Sequence, residues 1–189
     1  NLQYAFIEPL IGRPDIKFEI KTGDQKNLLQ QLKNHDLDVI LTSHNVLSEE
    51  GVKFYSHVLT SSPIVFVISK KSKSHKNKNF KDLIAKTPLF VPGTSFEVKP
   101  ELDALLDSLK IDVQIAGEID DVALLRILAI RSGMIVALPE MGVVNDLESG
   151  DVELLQRAHR LEQKFYAITR DKKNPNNLIS LLINNMNKK

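Results

Sequence analysis

Residues 113–139 read VQIAGEIDDVALLRILAIRSGMIVALP, and this pattern indicates a fold class. A short apolar run at 113–116 is followed by the acidic pair Asp120 and Asp121, an apolar helix and a second apolar run that stops at Pro139. Strand, acidic turn, helix and strand within about 27 residues are typical of a βαβ unit. Because open parallel sheets bind ligands outside the carboxyl ends of their strands, the pattern predicts an α/β fold with a ligand loop at the acidic pair.

The helix after the acidic pair is apolar on nearly every side. Between Asp121 and Arg131 only Arg126 interrupts a run of Val, Ala, Leu and Ile. Such a helix is buried on more than one side, against its own sheet and against either another layer of the domain or another subunit. If the second neighbour is a subunit, we expect Arg126 at the boundary of that contact, with its stem packed and its head at the rim.

Composition excludes several classes of function. The chain has 189 residues, a formal net charge of +1 and no Cys. This charge gives no strong field toward nucleic acid or an anionic membrane, and the lack of Cys rules out disulfides, thiolate metal sites and a Cys nucleophile. No apolar run approaches the ~18 residues of a membrane span.

The chain begins at Asn1, and 4–11 resemble the middle of an apolar helix, so we expect an upstream part that the sequence does not contain.

Strand and helix patterns alternate along the chain, which predicts parallel or mixed sheets flanked by helices. Asp24 suits the N-cap of a helix with Leu28, Leu29 and Leu32 on one face. Ser61-Ser62-Pro63 is typical of a crossover between two strands. Strands are predicted at 16–20, 38–42, 52–59, 64–69, 88–91, 113–116, 134–138, 152–155 and 164–169, and helices at 82–86, at 141–147, at 176–186 and in a segment that runs to about Lys110.

Several of these segments resemble a known family. They are EIDDVALLRILAIRSGMIVALP, LFVPG, LLQQLKNHDLDVILT and KFYAIT. Together they are similar to the effector-binding domain of LysR-type transcriptional regulators. Within that family the chain looks most like the NhaR-type subgroup, which activates sodium/proton antiporter genes, because GEIDD-like, LLVPG-like, VKFYSHVL-like and FYAIT-like segments occur there. The resemblance covers residues 5–185.

The resemblance implies a particular architecture. It is an α/β fold of periplasmic-binding-protein type II, with two Rossmann-like subdomains, mixed sheets and a ligand cleft between the subdomains. We expect subdomain I at 1–61 plus 164–189, without its first strand, and subdomain II at 62–163. An N-terminal winged helix-turn-helix would precede this chain in the parent protein.

The resemblance also implies partners. We expect a small-molecule or ion effector and a homodimer of effector domains, with dimer or tetramer left open for the parent. DNA would be bound only through the missing N-terminal domain, and RNA polymerase is a further candidate partner. The implied location is the cytoplasm, with no membrane partner, no cofactor, no metal and no enzyme activity.

Four loops at strand ends or helix starts are candidate effector contacts, because backbone N–H groups there lack intrahelical partners. For each loop the alternative is a plain helix cap, which favours Thr, Ser and Asp without any ligand. The candidate residues are Thr22, Thr42, Ser43, His44, Pro92, Gly93, Thr94, Ser95, Asp120 and Asp121.

The dimer contact is expected on the apolar helix and on the apolar segment at the start of the chain. Replacing an outward Leu or Ile there by Asp would then separate the subunits. The candidate interface residues are Tyr4, Ile7, Ile11, Leu124, Ile127 and Arg131.

Two sharper hypotheses concern the signal. Carboxylate oxygens suit Na⁺, but adjacent Asp120 and Asp121 do not readily point to one centre on a helix. His44 and His57 fall near the predicted loop and crossover, where a group that titrates near neutral pH would suit an antiporter regulator. The alternative is that they are solvated or singly bonded histidines, and no His spacing matches a metal site.

Two other classes of protein compete with a regulator. An enzyme is disfavoured because G-x-S-x-G, G-x-G-x-x-G and G-x₄-G-K-[ST] are all missing. A solute-binding receptor shares the fold, but the two-sided apolar helix disfavours a monomer of that type. One departure from the family stands at 131–135, RSGMI, where a Gly-x-Gly-Ile pattern is usual, so we expect a different helix-to-strand turn.

Overall fold

The computed structural model describes residues 6–46, 53–72, 79–170 and 177–186. Tyr4, one of the predicted interface residues, lies outside the described residues. The chain divides into two compact units. Unit 1 comprises Asn1–Ser61 with Lys164–Lys189, and unit 2 comprises Ser62–Gln163.

Helices and strands alternate as the sequence predicts. The helices are α1 (Gln25–Lys33), α2 (Phe80–Ile84), α3 (Lys99–Ser108), α4 (Val122–Arg131), α5 (Val144–Ser149) and α6 (Asn177–Met186), with 3-10 turns at Glu8–Leu10 and Glu140–Gly142. The strands are β1 (Ile40–Thr42), β2 (Tyr55–Ser69), β3 (Leu89–Pro92), β4 (Ile115–Ile119), β5 (Ile135–Pro139) and β6 (Val152–Thr169).

Unit 2 is built on a mixed sheet with helices on both faces. Its strand order is β6-β2-β5-β3-β4. β2 and β5 pair antiparallel, whereas β3 runs parallel to both β5 and β4. This arrangement confirms the predicted α/β class with a mixed sheet, and the β4-α4-β5 segment is the expected βαβ unit with β3 between its strands.

Alternation along the central strands explains the two cores of unit 2. In β2 the side chains of Ile64, Phe66 and Ile68 enter one apolar cluster, and those of Val65 and Val67 enter another. Successive residues of a strand point to opposite faces, so the clusters lie on opposite sides of the sheet. The first contains α3 residues, and the second contains α4 residues.

In unit 1, β1 pairs antiparallel with the end of β6, in the register Ile40 to Ile168. The Asp24 side chain accepts the Asn27 N–H at 2.9 Å, which confirms the predicted N-cap of α1. Leu29 and Leu32 of α1 are buried, and with Ile40 they belong to one apolar core.

One predicted strand is absent, and two pairs of predicted strands are each a single continuous strand. Residues 16–20 form no strand, and no described strand pairs with them, so their alternating polarity has no ladder to satisfy the backbone. Residues 55–59 of one predicted strand and 64–69 of the next belong to a single strand, β2, which includes Ser61-Ser62-Pro63. The segments 152–155 and 164–169 likewise belong to one strand, β6. The crossover at Ser61-Ser62-Pro63 and a second crossover at 156–163 are both continuous extended chain. Serine and proline tolerate that backbone, and 156–163 contain no Gly, Pro, Asn or Asp.

Two glycines solve local steric problems in the βαβ unit. β4 does not cover the predicted segment 113–116 but begins at Ile115 and continues through Gly117 to Ile119. A Cβ on Gly117 would lie 3.2 Å from the Phe90 ring, so the glycine lets the two strands approach. The turn after α4 is made by Gly133 at φ +70°, with the Met134 N–H bonded to the Ser132 Oγ at 3.1 Å. The departure at 131–135 is thus compatible with a tight helix-to-strand turn.

Each crossover strand carries a buried polar residue at the edge of unit 2. Gln163 of β6 is fully buried, and its side-chain oxygen accepts the Val98 N–H at 3.3 Å, at the start of α3. Ser62 of β2 is 3% exposed, and its Oγ accepts the Met141 N–H at 3.0 Å. These bonds satisfy backbone groups of the loops that follow β3 and β5.

Replacing Gln163 by Met keeps the side-chain length but removes the acceptor for the Val98 N–H. We expect the Gln163→Met chain to lose about 1–3 kcal/mol of unfolding free energy, because a buried donor is left unpaired. Gln156→Met, at an exposed position of the same strand, is the matched control and should change stability by less than about 0.5 kcal/mol. Chemical denaturation measures both, and equal losses would contradict the buried role of Gln163.

Candidate functional site

The loops after β3 and β4 meet because these strands are parallel and pair residue by residue at their carboxyl ends. Val91 pairs with Glu118, and Pro92 pairs with Ile119. The Gly93 N–H continues the ladder by donating to the Ile119 carbonyl at 3.0 Å. Carboxyl ends of neighbouring parallel strands share one edge of a sheet, which is where open α/β sheets place ligands.

Asp120 fastens the two loops together. Its Oδ1 accepts the Ser95 N–H at 2.8 Å. A Cβ built on Gly93 would lie 2.4 Å from the same oxygen, so only glycine at 93 admits the carboxylate. The structure therefore brings together four predicted site residues: Gly93, Ser95, Asp120 and, exposed between them in the loop, Thr94.

Asp121 performs a different task from its neighbour. Its carboxylate accepts the Leu124 N–H at 2.7 Å and caps α4, which is the alternative that the sequence left open for this residue. The two carboxylates thus bond to separate backbone groups. Within the described residues no set of three or more His, Cys, Asp or Glu side chains is placed to hold a metal ion.

The predicted site residues of unit 1 lie at the end of β1 and before α1. Thr42 ends β1, and its Oγ1 accepts the His44 N–H at 3.2 Å, which forms a small polar turn with half-buried Ser43. Thr22 lies exposed, two residues before the Asp24 cap of α1. These residues present polar groups at the end of β1 and before α1, as candidate ligand loops do.

His57 lies on β2 within unit 1. Its Nε2 is 3.0 Å from the Oγ1 of Thr169, which is buried on β6. Burial lowers the pKa of His57, because desolvation disfavours the imidazolium. The hydroxyl accepts or donates according to the histidine tautomer, so the neutral ring keeps its hydrogen bond.

The apolar helix α4 has one buried face and one exposed face. Leu125 and Ala129 are fully buried in unit 2, whereas Leu124 and Ile127 are 44% and 48% exposed. Arg131 at the last turn is also exposed. In unit 1, Ile7 is half-buried and Ile11 is 51% exposed.

The sequence did not indicate the partner of Arg126. Its guanidinium bonds both oxygens of Asp146 on α5, at 2.6 and 2.7 Å, and the Asp146 side chain is only 5% exposed. This two-point ion pair raises the pKa of Arg126. The Arg126 guanidinium therefore binds a carboxylate of its own unit. This carboxylate lies 20 residues further along the chain, so no local sequence pattern indicates the pair.

Comparison with known proteins identifies the family. The family model described as the LysR substrate binding domain matches residues 12–188. The chain therefore belongs to the effector-binding regulatory domains of LysR-type transcriptional regulators, which agrees with the observed α/β fold. A search of curated proteins found no significant match.

Solved structures share the fold at low sequence identity. The apo regulatory domain of HypT from Salmonella typhimurium has a TM-score of 0.71 at 13% identity, over 99% of this chain and 88% of that one. The CcmR regulatory domain of Synechocystis PCC6803 in complex with 2-PG has 0.64 at 12%, over 98% and 88%. DarR of Vibrio fischeri in complex with DNA has 0.71 at 12%, over 96% of this chain but 64% of DarR.

None of the helices in the described ranges combines the length and the apolar character that crossing a bilayer requires.

The lowered pKa of His57 makes stability depend on pH. The unfolded state, at the ordinary value of 6.5, binds the proton more readily than the folded state. Stability is therefore complete above about pH 6.5 and falls as pH drops toward the lower pKa of the folded protein. Between pH 7.5 and 5.5 we expect His57→Gln to lose less unfolding free energy than the wild type. His159→Gln, at an exposed position, is the control and should follow the wild type; parallel curves for all three would contradict the prediction.

Proposed function

We propose that this chain is the effector-sensing part of a DNA-binding transcription activator of NhaR type. The observation that carries the proposal is the exposed loop pair after β3 and β4, where Thr94 stands in a loop held in shape by the Ser95–Asp120 bond. A rigid polar loop at the carboxyl end of parallel strands suits the recognition of a small ligand. The further proposed effector contacts are Thr22, Thr42, Ser43 and His44 in unit 1, and Pro92 and Asp121 in unit 2.

A binding role fits the site better than catalysis. The carboxylates of Asp120 and Asp121 each accept a hydrogen bond from a backbone N–H group, one holding the loop at Ser95 and the other capping α4. A solute-binding receptor is the alternative with the same fold. The exposed apolar face of α4 favours the regulator, because a receptor that works as a monomer gains nothing from it.

The proposed mechanism is a shift of populations. An effector changes the regulator only by binding two of its arrangements unequally. DNA contact belongs to a segment outside this chain, in line with DarR, whose solved form is bound to DNA and of which this chain matches 64%. Polymerase recruitment in the cytoplasm, from a dimer or a tetramer, is the proposed output.

Sodium or pH is the proposed signal, from the likeness to the NhaR subgroup. Because Asp120 and Asp121 bond to separate backbone groups, we do not propose that they share one Na⁺ ion. The signal would act through the loops as wholes, with His57 as the residue whose pKa burial lowers.

In the full-length regulator, Thr94→Arg should abolish the transcriptional response while DNA binding stays intact. The reporter is a promoter that the full-length protein binds, and the medium receives NaCl or KCl at equal ionic strength. We expect reporter transcription from the wild type to change several-fold with NaCl and little with KCl. The Thr94→Arg protein should respond to neither salt, because the long, charged arginine side chain occupies the exposed loop. Ser108→Arg, exposed at the end of α3, is the control and should behave as the wild type.

The two arms of this experiment have separate outcomes. Equal responses of the wild type to both salts would reject sodium as the signal. A Thr94→Arg protein that responds like the wild type would reject the loop as part of the effector site.

We propose in addition that α4 forms the homodimer contact. Leu124 and Ile127 expose apolar side chains on one helix face, and Arg131 borders them. Burial of such a face against a second copy removes apolar area from water, at about 25 cal/mol per Å². Ile7, Ile11 and, outside the described residues, Tyr4 are the proposed counterpart in the second copy.

Replacing Leu124 or Ile127 by Asp should convert dimers into monomers, because each subunit would then have to desolvate a charge. Sedimentation velocity of the whole chain measures the change, and we expect at least a tenfold weaker dimer. Leu181→Asp is the matched control, since Leu181 is 45% exposed on α6. Dimers that survive both α4 substitutions would refute the placement of the contact.

A further inference from the structure

We propose that Asp120 is a built-in anion that excludes anionic effectors from the loop formed by residues 92–95. This inference rests on the proposed function, because it names the ligand class that the loop of the effector site accepts. A carboxylate or phosphate would not bind the Ser95 N–H. A ligand that donates hydrogen bonds, through an amine or hydroxyl, would bind beside the Asp120 carboxylate.

The contact that carries this inference is the bond between the Ser95 N–H and the Asp120 Oδ1, at 2.8 Å. It joins two loops that are 25 residues apart in the chain, and it lies at the exposed surface of unit 2. A backbone N–H at a strand end is the kind of group that binds phosphates and carboxylates in proteins. Here the protein's own carboxylate already occupies it.

Gly93 shows that the carboxylate is seated closely against the loop. A Cβ at position 93 would lie 2.4 Å from Oδ1, 2.8 Å from Cγ and 3.0 Å from Oδ2 of Asp120. The φ of Gly93 is not in the positive range, so the backbone conformation itself does not demand glycine. The missing side chain therefore serves the approach of the Asp120 carboxylate.

Two physical effects make this carboxylate a strong competitor against anions from solution. It is attached to the chain, so its effective concentration at the Ser95 amide is far above that of a free ligand. Its negative charge also repels a second anion a few ångströms away. Asp121 adds another carboxylate at the same strand end, although it caps α4 instead of the loop.

The simpler view is that Asp120 only stabilises a turn. In that case its removal would lower stability without creating affinity for anions. The two views differ in what happens at the vacated Ser95 amide, and inorganic phosphate is a suitable probe of that group.

The experiment compares the wild type with Asp120→Ala, Asp120→Asn and Asp121→Asn, using the whole chain. Thermal midpoints are recorded in rising phosphate against chloride at equal ionic strength, and the Ser95 amide resonance is followed by NMR. We expect Asp120→Ala to gain a saturable phosphate-specific rise of about 2–4 °C, with movement of the Ser95 resonance.

The two Asn variants separate occupancy from charge. Asp120→Asn keeps a side-chain oxygen for the Ser95 N–H, and Asp121→Asn keeps the cap of α4, so we expect neither to gain a phosphate response. An equal gain in the Asn variants would mean general electrostatics and would overturn the proposal. Movement of the wild-type Ser95 resonance with phosphate would overturn it without any variant, as would an Asp120→Ala protein that folds but ignores phosphate.

Failure here is distinguishable from failure of the proposed function. The phosphate experiment reads one loop and needs no promoter, whereas the Thr94→Arg experiment reads transcription. If Thr94→Arg abolishes the response but Asp120→Ala gains no phosphate affinity, the loop belongs to the effector site and only anion exclusion is rejected.

Discussion

The parallel register of β3 and β4 is the constraint on which the candidate site depends. Because Pro92 of β3 pairs with Ile119 of β4, the residues that follow them, Gly93 and Asp120, leave the sheet at the same edge. A shift of one residue would turn every side chain of β4 to the other face and remove the Asp120 carboxylate from the Ser95 amide. The polar site is therefore a consequence of apolar packing in the sheet below it.

That packing is also what the sequence predicts best. The apolar runs at 64–69 and 134–138 contain no polar position except Ser69, and both become central strands with cores on both faces. The caps at Asp24 and Asp121 were predictable for a related reason, since a cap bonds within three residues and needs only local chain. Hence the class of fold, most helices and the loop at Asp120 follow from local patterns.

Non-local pairing explains what the sequence could not predict. Alternating polarity at 16–20 suggests a strand, but a strand exists only where a neighbour accepts its hydrogen bonds, and none of the described strands does. The crossovers were split into four strands because Ser61-Ser62-Pro63 and the polar stretch 156–163 resemble loops. The Arg126–Asp146 and Ser95–Asp120 contacts join residues 20 and 25 positions apart, and no local pattern relates them.

The Arg126–Asp146 pair bears on how α4 meets its surroundings. The helix is apolar nearly all round, and Arg126 is its one internal charge. An unpaired guanidinium there would have to lose its water if a partner covered the exposed face, which costs free energy. Asp146 takes both sides of the guanidinium fork within the same unit, so the charge is compensated before any partner arrives. Leu124 and Ile127 can then act as an apolar surface, while Leu125 and Ala129 secure the helix to the sheet. The intramolecular ion pair thus leaves α4 with an exposed apolar face and no uncompensated charge.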